Sequence, residues 1–170
     1  TSPSTSSDVI DKFSFAVDGN ASDVGDLSQA RRETSGQSSA VSGYTSAGFA
    51  PPSNVDTIDK FPFATDNNAT DVGNVSQARR LVSGQSSSIS GYLSGGYVSG
   101  NVNTIDKFSF AVDTNGTDVG DLSQTRRNTA GQSSTVSGYI SGGDAPPLVN
   151  TIDKFPFAVD TNASDVGDLS

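Results

Sequence analysis

The 170-residue chain contains no cysteine, histidine, methionine or tryptophan. Without cysteine it has no disulfide framework and no thiolate metal site. Without histidine it has no imidazole base, no ordinary zinc site and no Ser-His-Asp triad. These absences remove most familiar enzyme chemistries. The composition therefore favours a protein that is not an enzyme and requires no cofactor.

Basic residues and long apolar runs are also scarce. The chain has 10 basic and 19 acidic residues, a net charge of −9, which argues against nucleic acid because phosphates need a basic face. No stretch approaches the ~20 apolar residues of a membrane span, and no signal-peptide pattern opens the chain. We expect an extracellular protein without membrane insertion, and we interpret the sequence as a processed or excised piece of a longer one.

An internal repeat dominates what is present. The motif IDKF[SP]F begins at Ile10, Ile58, Ile105 and Ile152, so successive copies lie 48, 47 and 47 residues apart. Between the copies follow an acidic turn, Q[AT]RR, GQSS and SGY, in that order. Repeats must be identified first, because a missed repeat leads to a wrong fold assignment.

Each period predicts four short strands and no helix. Its segments are short, rich in β-forming residues and separated by turns of Asp, Asn and Gly. No window has the apolar spacing of an amphipathic helix. In the second period, residues 55–64 predict one strand, residues 69–75 a short return strand, residues 78–88 a third and residues 88–96 a fourth. The fold class predicted is all-β.

The segment order resembles the kelch repeat of β-propellers. A kelch blade has an Arg-bearing first strand, a second ending in an aromatic and a Gly pair, a third closing on an Asp turn, and a short fourth; we call these strands A to D. Residues 30–32 (ARR), 91–96 (GYLSGG) and 58–66 (IDKFPFATD) stand at A, B and C. Kelch blades usually place a Trp on strand D, where this chain has Asp71 and Val72. The resemblance implies four-stranded antiparallel blades of about 47 residues.

The whole chain, residues 1–170, is then one repeat domain of about three and a half blades. Residues 1–27 form a half blade with strands C and D, and residues 28–74, 75–121 and 122–170 form full blades. Propellers typically have four to eight blades. We therefore expect the open edges to pair with other copies of the chain or with the rest of a longer chain. A linear stack of repeats is the structural alternative.

The acidic turn is a candidate calcium loop. Oxygen-bearing side chains alternate at positions 1, 3, 5 and 9, as in calcium loops, but position 6 is Asp where such loops have Gly. The alternative is a hairpin turn between strands C and D. The candidate ligands are Asp18, Asn20, Ser22 and Asp26; Asp66, Asn68, Thr70 and Asn74; Asp113, Asn115, Thr117 and Asp121; and Asp160, Asn162, Ser164 and Asp168.

The same turns carry N-x-[ST] sequences, which are either glycan acceptors or ordinary turn residues. The asparagines concerned are Asn20, Asn68, Asn74, Asn115 and Asn162.

The arginine pairs at 31–32, 79–80 and 126–127 have two interpretations. Adjacent strand residues point to opposite faces, so one Arg of each pair should be inward and paired with an Asp, the other in solvent. The candidate partners are Asp11, Asp59, Asp106 and Asp153. The alternative is a ring of guanidinium groups that binds an anion.

Three connections between strands B and C vary while the body repeats, so they are the predicted recognition surface, although drift would also make them vary. They are residues 49–54, 97–101 and 144–148, and the ligand-binding candidates at their ends are Phe49, Asn54, Tyr97, Asn101, Asp144 and Leu148.

The repeat also resembles one found in uncharacterised virion-associated proteins of marine phages and marine viral metagenomes. The residues that carry this resemblance are DKFPFA, TDVGDL, ARR, GQSS and GY.SGG. It implies a structural or adhesive role on a virion or another extracellular surface. The alternative function is a propeller lectin with one weak carbohydrate site per blade, strengthened by multivalency.

Overall fold

The computed structural model describes residues 5–170, which form 14 strands in antiparallel sheets and no helix. The predicted all-β class is therefore confirmed. The first sheet contains two strands, β1 (Ser7–Lys12) and β2 (Ser22–Arg31). We call it the half unit. Residues 1–4 of the predicted half blade at 1–27 lie outside the described residues.

Three sheets of four strands follow the half unit, and in each the spatial order of the strands is their order along the chain. We call them units 1, 2 and 3. Unit 1 contains β3 (Ser35–Ser38), β4 (Ser42–Ala50), β5 (Ser53–Pro62) and β6 (Thr70–Asn74). Unit 2 contains β7 (Ser83–Ser86), β8 (Ser90–Ser94), β9 (Thr104–Ser109) and β10 (Thr117–Asp121). Unit 3 contains β11 (Ala130–Ser133), β12 (Ser137–Ser141), β13 (Thr151–Pro156) and β14 (Ser164–Asp168).

None of these sheets closes on itself within residues 5–170. None of the described residues forms a helix long and apolar enough to cross a membrane.

The hydrophobic cores lie between units rather than inside them. One cluster joins Tyr44 and Ile58 of unit 1 to Leu93 and Phe108 of unit 2. A second cluster makes the same join between Tyr92 of unit 2 and the residues of unit 3. A single sheet buries its apolar face only when the next sheet covers it, so a unit depends on its neighbour.

The glycine of the acidic D-V-G segment has two structural duties. In unit 1, Gly73 has a φ of 150° and pairs with Ile58 beside an irregularity between strands C and D. A Cβ atom on Gly73 would lie 2.7 Å from the carbonyl oxygen of Thr114 in the next unit. Only glycine permits both this backbone conformation and this close approach.

Two strand predictions are wrong in their bounds. Strand A of unit 2 begins at Ser83 rather than Ala78, because Leu81 adopts a left-handed φ of 57° that interrupts an extended strand. In unit 1 the predicted loop at 49–54 is mostly strand, since Phe49 pairs with Asn54 and Ala50 with Ser53. The connection itself is the Pro51-Pro52 pair.

Candidate functional site

The first arginine of each pair forms a buried ion pair with an aspartate of the strand C that follows it in the chain. The guanidinium-to-carboxylate distances are 3.0 Å for Arg31–Asp59 and 2.8 Å for both Arg79–Asp106 and Arg126–Asp153. All six side chains are 0% exposed. The predicted pairing is thus confirmed for three of the four aspartates, and an anion-binding ring of these arginines is excluded by their burial.

Each buried guanidinium also donates from Nη2 to a main-chain carbonyl oxygen of strand B, that of Thr45, Leu93 or Ile140. Arg79 donates from Nε to the oxygen of Gly95 at 3.0 Å, and its Asp106 partner accepts the amide of Ser76 at 2.9 Å. A buried charge is tolerable only when it is paired and hydrogen-bonded. Burial lowers the pKa of Arg31 and the neighbouring Asp59 opposes that shift. The arrangement fastens the incoming chain segment to strands B and C.

The second arginine of each pair belongs to a ladder that crosses the units. The guanidinium of Arg80 lies 4.6 Å from the ring centroid of Phe49 and 5.3 Å from that of Tyr97. The guanidinium of Arg32 lies 4.8 Å from the same Phe49 ring centroid, and that of Arg127 lies 4.9 Å from the Tyr97 ring centroid. Such contacts between cations and aromatic rings are attractive. The expectation that this arginine is in free solvent is wrong, because its side chain is only 27–29% exposed.

Carboxylates balance the charge of this Arg–aromatic ladder. Glu33 lies 3.6 Å from Nε of Arg32 and 3.4 Å from Nε of Arg80. Asp144 stands where the earlier units have Phe49 and Tyr97, and its carboxylate lies 2.6 Å from Nη2 of Arg127.

The structure brings the predicted loop residues to this one edge and gives most of them internal partners. The Nδ2 atom of Asn54 donates to the carbonyl oxygens of Tyr97 and Val98, at 3.2 and 3.3 Å. Asn101 donates in the same way to the carbonyl oxygen of Asp144 at 2.6 Å. Each asparagine therefore joins its loop to the loop of the following unit. Leu148 differs, since it is 81% exposed.

The acidic turn of each unit docks on the unit before it. The Oδ1 atom of Asn115 accepts the amide of Asn74 at 3.0 Å, and the amide of Gly116 donates to the carbonyl oxygen of Asn74 at 2.8 Å. Equivalent bonds join Asn68 to Asp26 and Asn162 to Asp121, both through the main-chain amide of the aspartate. The third position of the predicted calcium loop is thus a hydrogen-bond acceptor for a neighbouring unit.

The first position of the same loop pairs with a lysine of the preceding unit. The Lys12–Asp66, Lys60–Asp113 and Lys107–Asp160 pairs all have a distance of 2.8 Å. Hydrogen bonding to the carboxylates of Asp113 and Asp160 raises the pKa of Lys60 and Lys107, respectively. The fifth and ninth positions (Ser22, Thr70, Thr117 and Ser164; Asp26, Asn74, Asp121 and Asp168) lie on strand D.

Across residues 5–170, no three His, Cys, Asp or Glu side chains gather as they would around a metal ion. Calcium binding, which would also use the Asn, Ser and Thr oxygens of the turn, stays a prediction.

An aromatic contact between units was not foreseen from the sequence. Tyr44 lies 5.4 Å from the ring of Phe108 and 4.8 Å from that of Phe110, both in unit 2. Tyr92 contacts Phe155 and Phe157 of unit 3 in the same way. Burial is the main cause that raises the pKa of both tyrosines. The available signal was that Tyr and the F-x-F pair recur once in every period.

No protein-family model matches this chain, and no curated protein matches it in sequence.

Proposed function

We propose that the chain is a non-enzymatic structural and adhesive repeat protein of a virion or another extracellular surface appendage. The observation that supports this proposal is the use of its polar repeat residues. Lys, Asp and Asn recur in every period. At successive boundaries between units, the Lys–Asp pair and the Asn hydrogen bond form in the same way. A repeat whose polar groups serve its own assembly is suited to a load-bearing scaffold.

We further propose that the units are kelch-like blades of a propeller. Each four-stranded antiparallel meander has the strand order of such a blade. The A strands also approach very closely, since a Cβ atom on Gly131 would lie 2.4 Å from the carbonyl oxygen of Gly84. Blades converge in this way at the axis of a propeller, where small residues are needed.

The edge that carries the Arg–aromatic ladder is the proposed recognition surface. Its backbone is held rigid by Asn54, Asn101 and the ladder itself. Rigid scaffolds that present variable connections are a common means of recognition. The exposed Leu148 marks the part of this edge that is free to contact a partner.

Native mass spectrometry and electron microscopy of the purified chain test the scaffold role. We expect closed or extended particles whose masses are multiples of the 17.4 kDa chain. Exchange of residues 144–148 for a Gly/Ser segment of equal length should leave these particles intact and reduce adhesion to host cells or glycan surfaces. Monomeric particles that adhere equally well with and without the native loop would contradict the proposal.

A further inference from the structure

The half unit differs from the other three sheets in its number of strands. In units 1, 2 and 3, strand C pairs with strand B on one side and strand D on the other. In the half unit, β1 occupies the position of strand C and pairs with β2 alone among the described strands. One edge of β1 therefore offers unused main-chain donors and acceptors.

An apolar groove lies along this edge, between the half unit and unit 1. It has a volume of about 550 Å³, and its walls include Phe13 and Phe15 of the half unit and Phe61 and Phe63 of unit 1. Phe13, Phe15 and Phe63 are 61%, 97% and 46% exposed. At the corresponding place in unit 2, Phe108 is 3% exposed. Four exposed or partly exposed phenylalanines in one groove indicate an interaction surface.

The next boundary along the chain shows what fills the equivalent space. There the A and B strands of unit 1 cover Phe108 and Phe110 of unit 2, with the ring of Tyr44 packed against both. Two polar contacts accompany the ring. Gln37 donates to the carbonyl oxygen of Tyr92 at 3.2 Å, and the amide of Ser38 donates to Oγ of Ser86 at 3.0 Å.

Unit 1 carries the equivalent acceptors for both contacts. They are the carbonyl oxygen of Tyr44 and the Oγ atom of Ser38, and Ser38 lines the groove. The free edge of β1 also has the same residues that strand C uses to pair with strand B in the other units. In unit 1, Tyr44 lies opposite Lys60 and Gly43 opposite Phe61. The equivalents of those partners are Lys12, the last residue of β1, and Phe13, the residue after it.

The glycine of strand A provides an independent observation. A Cβ atom on Gly84 or Gly131 would lie 2.3 or 2.4 Å from the glycine carbonyl oxygen of the preceding A strand, whereas a Cβ atom on Gly36 would meet nothing within 4 Å. The position of Gly36 is therefore shaped to receive another A strand, and no described residue fills it.

We propose that this groove binds a β-hairpin of the chain's own G-Q-S-S and S-G-Y pattern, supplied by a further copy of the same repeat. The hairpin adds two antiparallel strands to β1, with its tyrosine opposite Lys12 and its ring against Phe61 and Phe63. Main-chain pairing at a free sheet edge supplies affinity, and the side-chain pockets supply specificity. This inference stands apart from the adhesive role, because it concerns only the contact between repeats.

A peptide with the sequence of residues 82–96, which contains strands A and B of unit 2, tests the proposal on the full-length chain. We expect saturable binding by NMR titration, with β1 amides that face away from β2 becoming protected from hydrogen exchange. A peptide with Ala in place of Tyr92 should bind about tenfold more weakly or worse, because it lacks the aromatic contact.

The variant Gly36→Ala in the full-length chain tests whether an incoming A strand contacts Gly36. Its melting temperature should remain that of the native chain, since the added methyl group meets nothing. Its binding to the peptide should be lost, since the incoming A strand would collide with that methyl group. Equal peptide binding by the native and Gly36→Ala chains would overturn the proposal.

A tethered version answers the concern that a short hairpin is only marginally stable in water. The segment 82–96 is fused ahead of the chain through a flexible linker, which raises its effective concentration to the millimolar range. We expect a higher melting temperature than that of a fusion with a scrambled segment, and Gly36→Ala should abolish the gain. A fusion with no gain overturns the proposal. So does an assembly of whole chains in which a surface other than strands A and B of a repeat covers the groove.

Discussion

At the scale of single residues, the two arginines of each pair are neighbours in sequence with different environments. Arg79 is fully buried against Asp106, while Arg80 lies half-buried between Phe49 and Tyr97. The alternation of side chains along an extended chain predicted one inward and one outward arginine. The aromatic partners of the outward arginine could not be predicted, because they belong to two different units.

Replacement of Arg79 by methionine should therefore cost far more stability than replacement of Arg80. Removing one member of a buried ion pair leaves an uncompensated charge on Asp106 and costs about 3–5 kcal/mol. Loss of the contacts of Arg80 with the rings of Phe49 and Tyr97 should cost about 1 kcal/mol. Chemical denaturation of the two variants measures both values, and equal losses would contradict the structural assignment.

The raised pKa values of Lys60, Lys107, Tyr44 and Tyr92 predict a loss of stability in alkali. Each group binds its proton more tightly in the folded chain, so its contribution is complete below the ordinary values of 10.0 for tyrosine and 10.5 for lysine. The contribution disappears as the pH rises through the folded-state values. Denaturant unfolding across this range should show a falling free energy of unfolding.

Tyrosinate absorbance provides the control for this pH prediction. Part of the signal of the folded chain should appear at higher pH than that of a free tyrosine amide, and the double variant Tyr44→Phe, Tyr92→Phe should lose that part. If the double variant retains the delayed signal, the assignment of the shift to these two residues is wrong.

At the scale of elements, the GQSS strands hold the units at their closest approach. Gly36, Gly84 and Gly131 form a column in which the carbonyl oxygen of one glycine faces the Cα atom of the next. The amides of Ser38 and Ser86 donate to the hydroxyl groups of Ser86 and Ser133 across the same contact. The small side chains of this segment are therefore a packing requirement.

Alanine in place of Gly84 should separate the sheets of units 1 and 2. The added Cβ would lie 2.3 Å from the main-chain oxygen of Gly36, which cannot rotate away as a flexible side chain would. Overpacking of this kind costs about 1–3 kcal/mol. The control is Gly36→Ala, whose effect should stay within about 0.5 kcal/mol. Thermal melts compare the two variants, and similar melting temperatures would refute the proposed column.

The elements were predictable in number and type but less so in their ends. Turn residues and alternating apolar residues separate four strands in every period, and the structure has them. The start of strand A was missed because the left-handed conformation of Leu81 has no sequence signal, unlike the Asn128 that stands at the equivalent position. The strand character of Phe49 and Asn54 was missed because the loop was chosen by its variation between periods, which carries no information on strand pairing.

At the scale of the whole molecule, the acidic turn joins the units together. Its Asp pairs with a lysine, and its Asn accepts a main-chain amide, from the unit before it. The sequence showed that the turn recurs and offered calcium or a hairpin as its role. It could not show contacts between units, because the spacing of a repeat specifies neither the angle nor the distance between successive sheets.

Two equivalent asparagines separate the contact between units from ion binding. Asn115 accepts the amide of Asn74 at 3.0 Å, whereas Asn20, at the same position of the half unit, makes no hydrogen bond within residues 5–170. Both asparagines occupy the third position of the predicted calcium loop, so an ion-binding role would require both equally.

The most direct test of this account is the free energy of unfolding of Asn115→Ala compared with that of Asn20→Ala, each with and without added calcium. We predict a loss of about 1 kcal/mol for Asn115→Ala, the net value of one hydrogen bond, no loss for Asn20→Ala, and no effect of calcium on either. Equal losses in the two variants, with a stabilisation of the native chain by calcium that both variants lack, would show that the repeated turn binds an ion instead of the neighbouring unit.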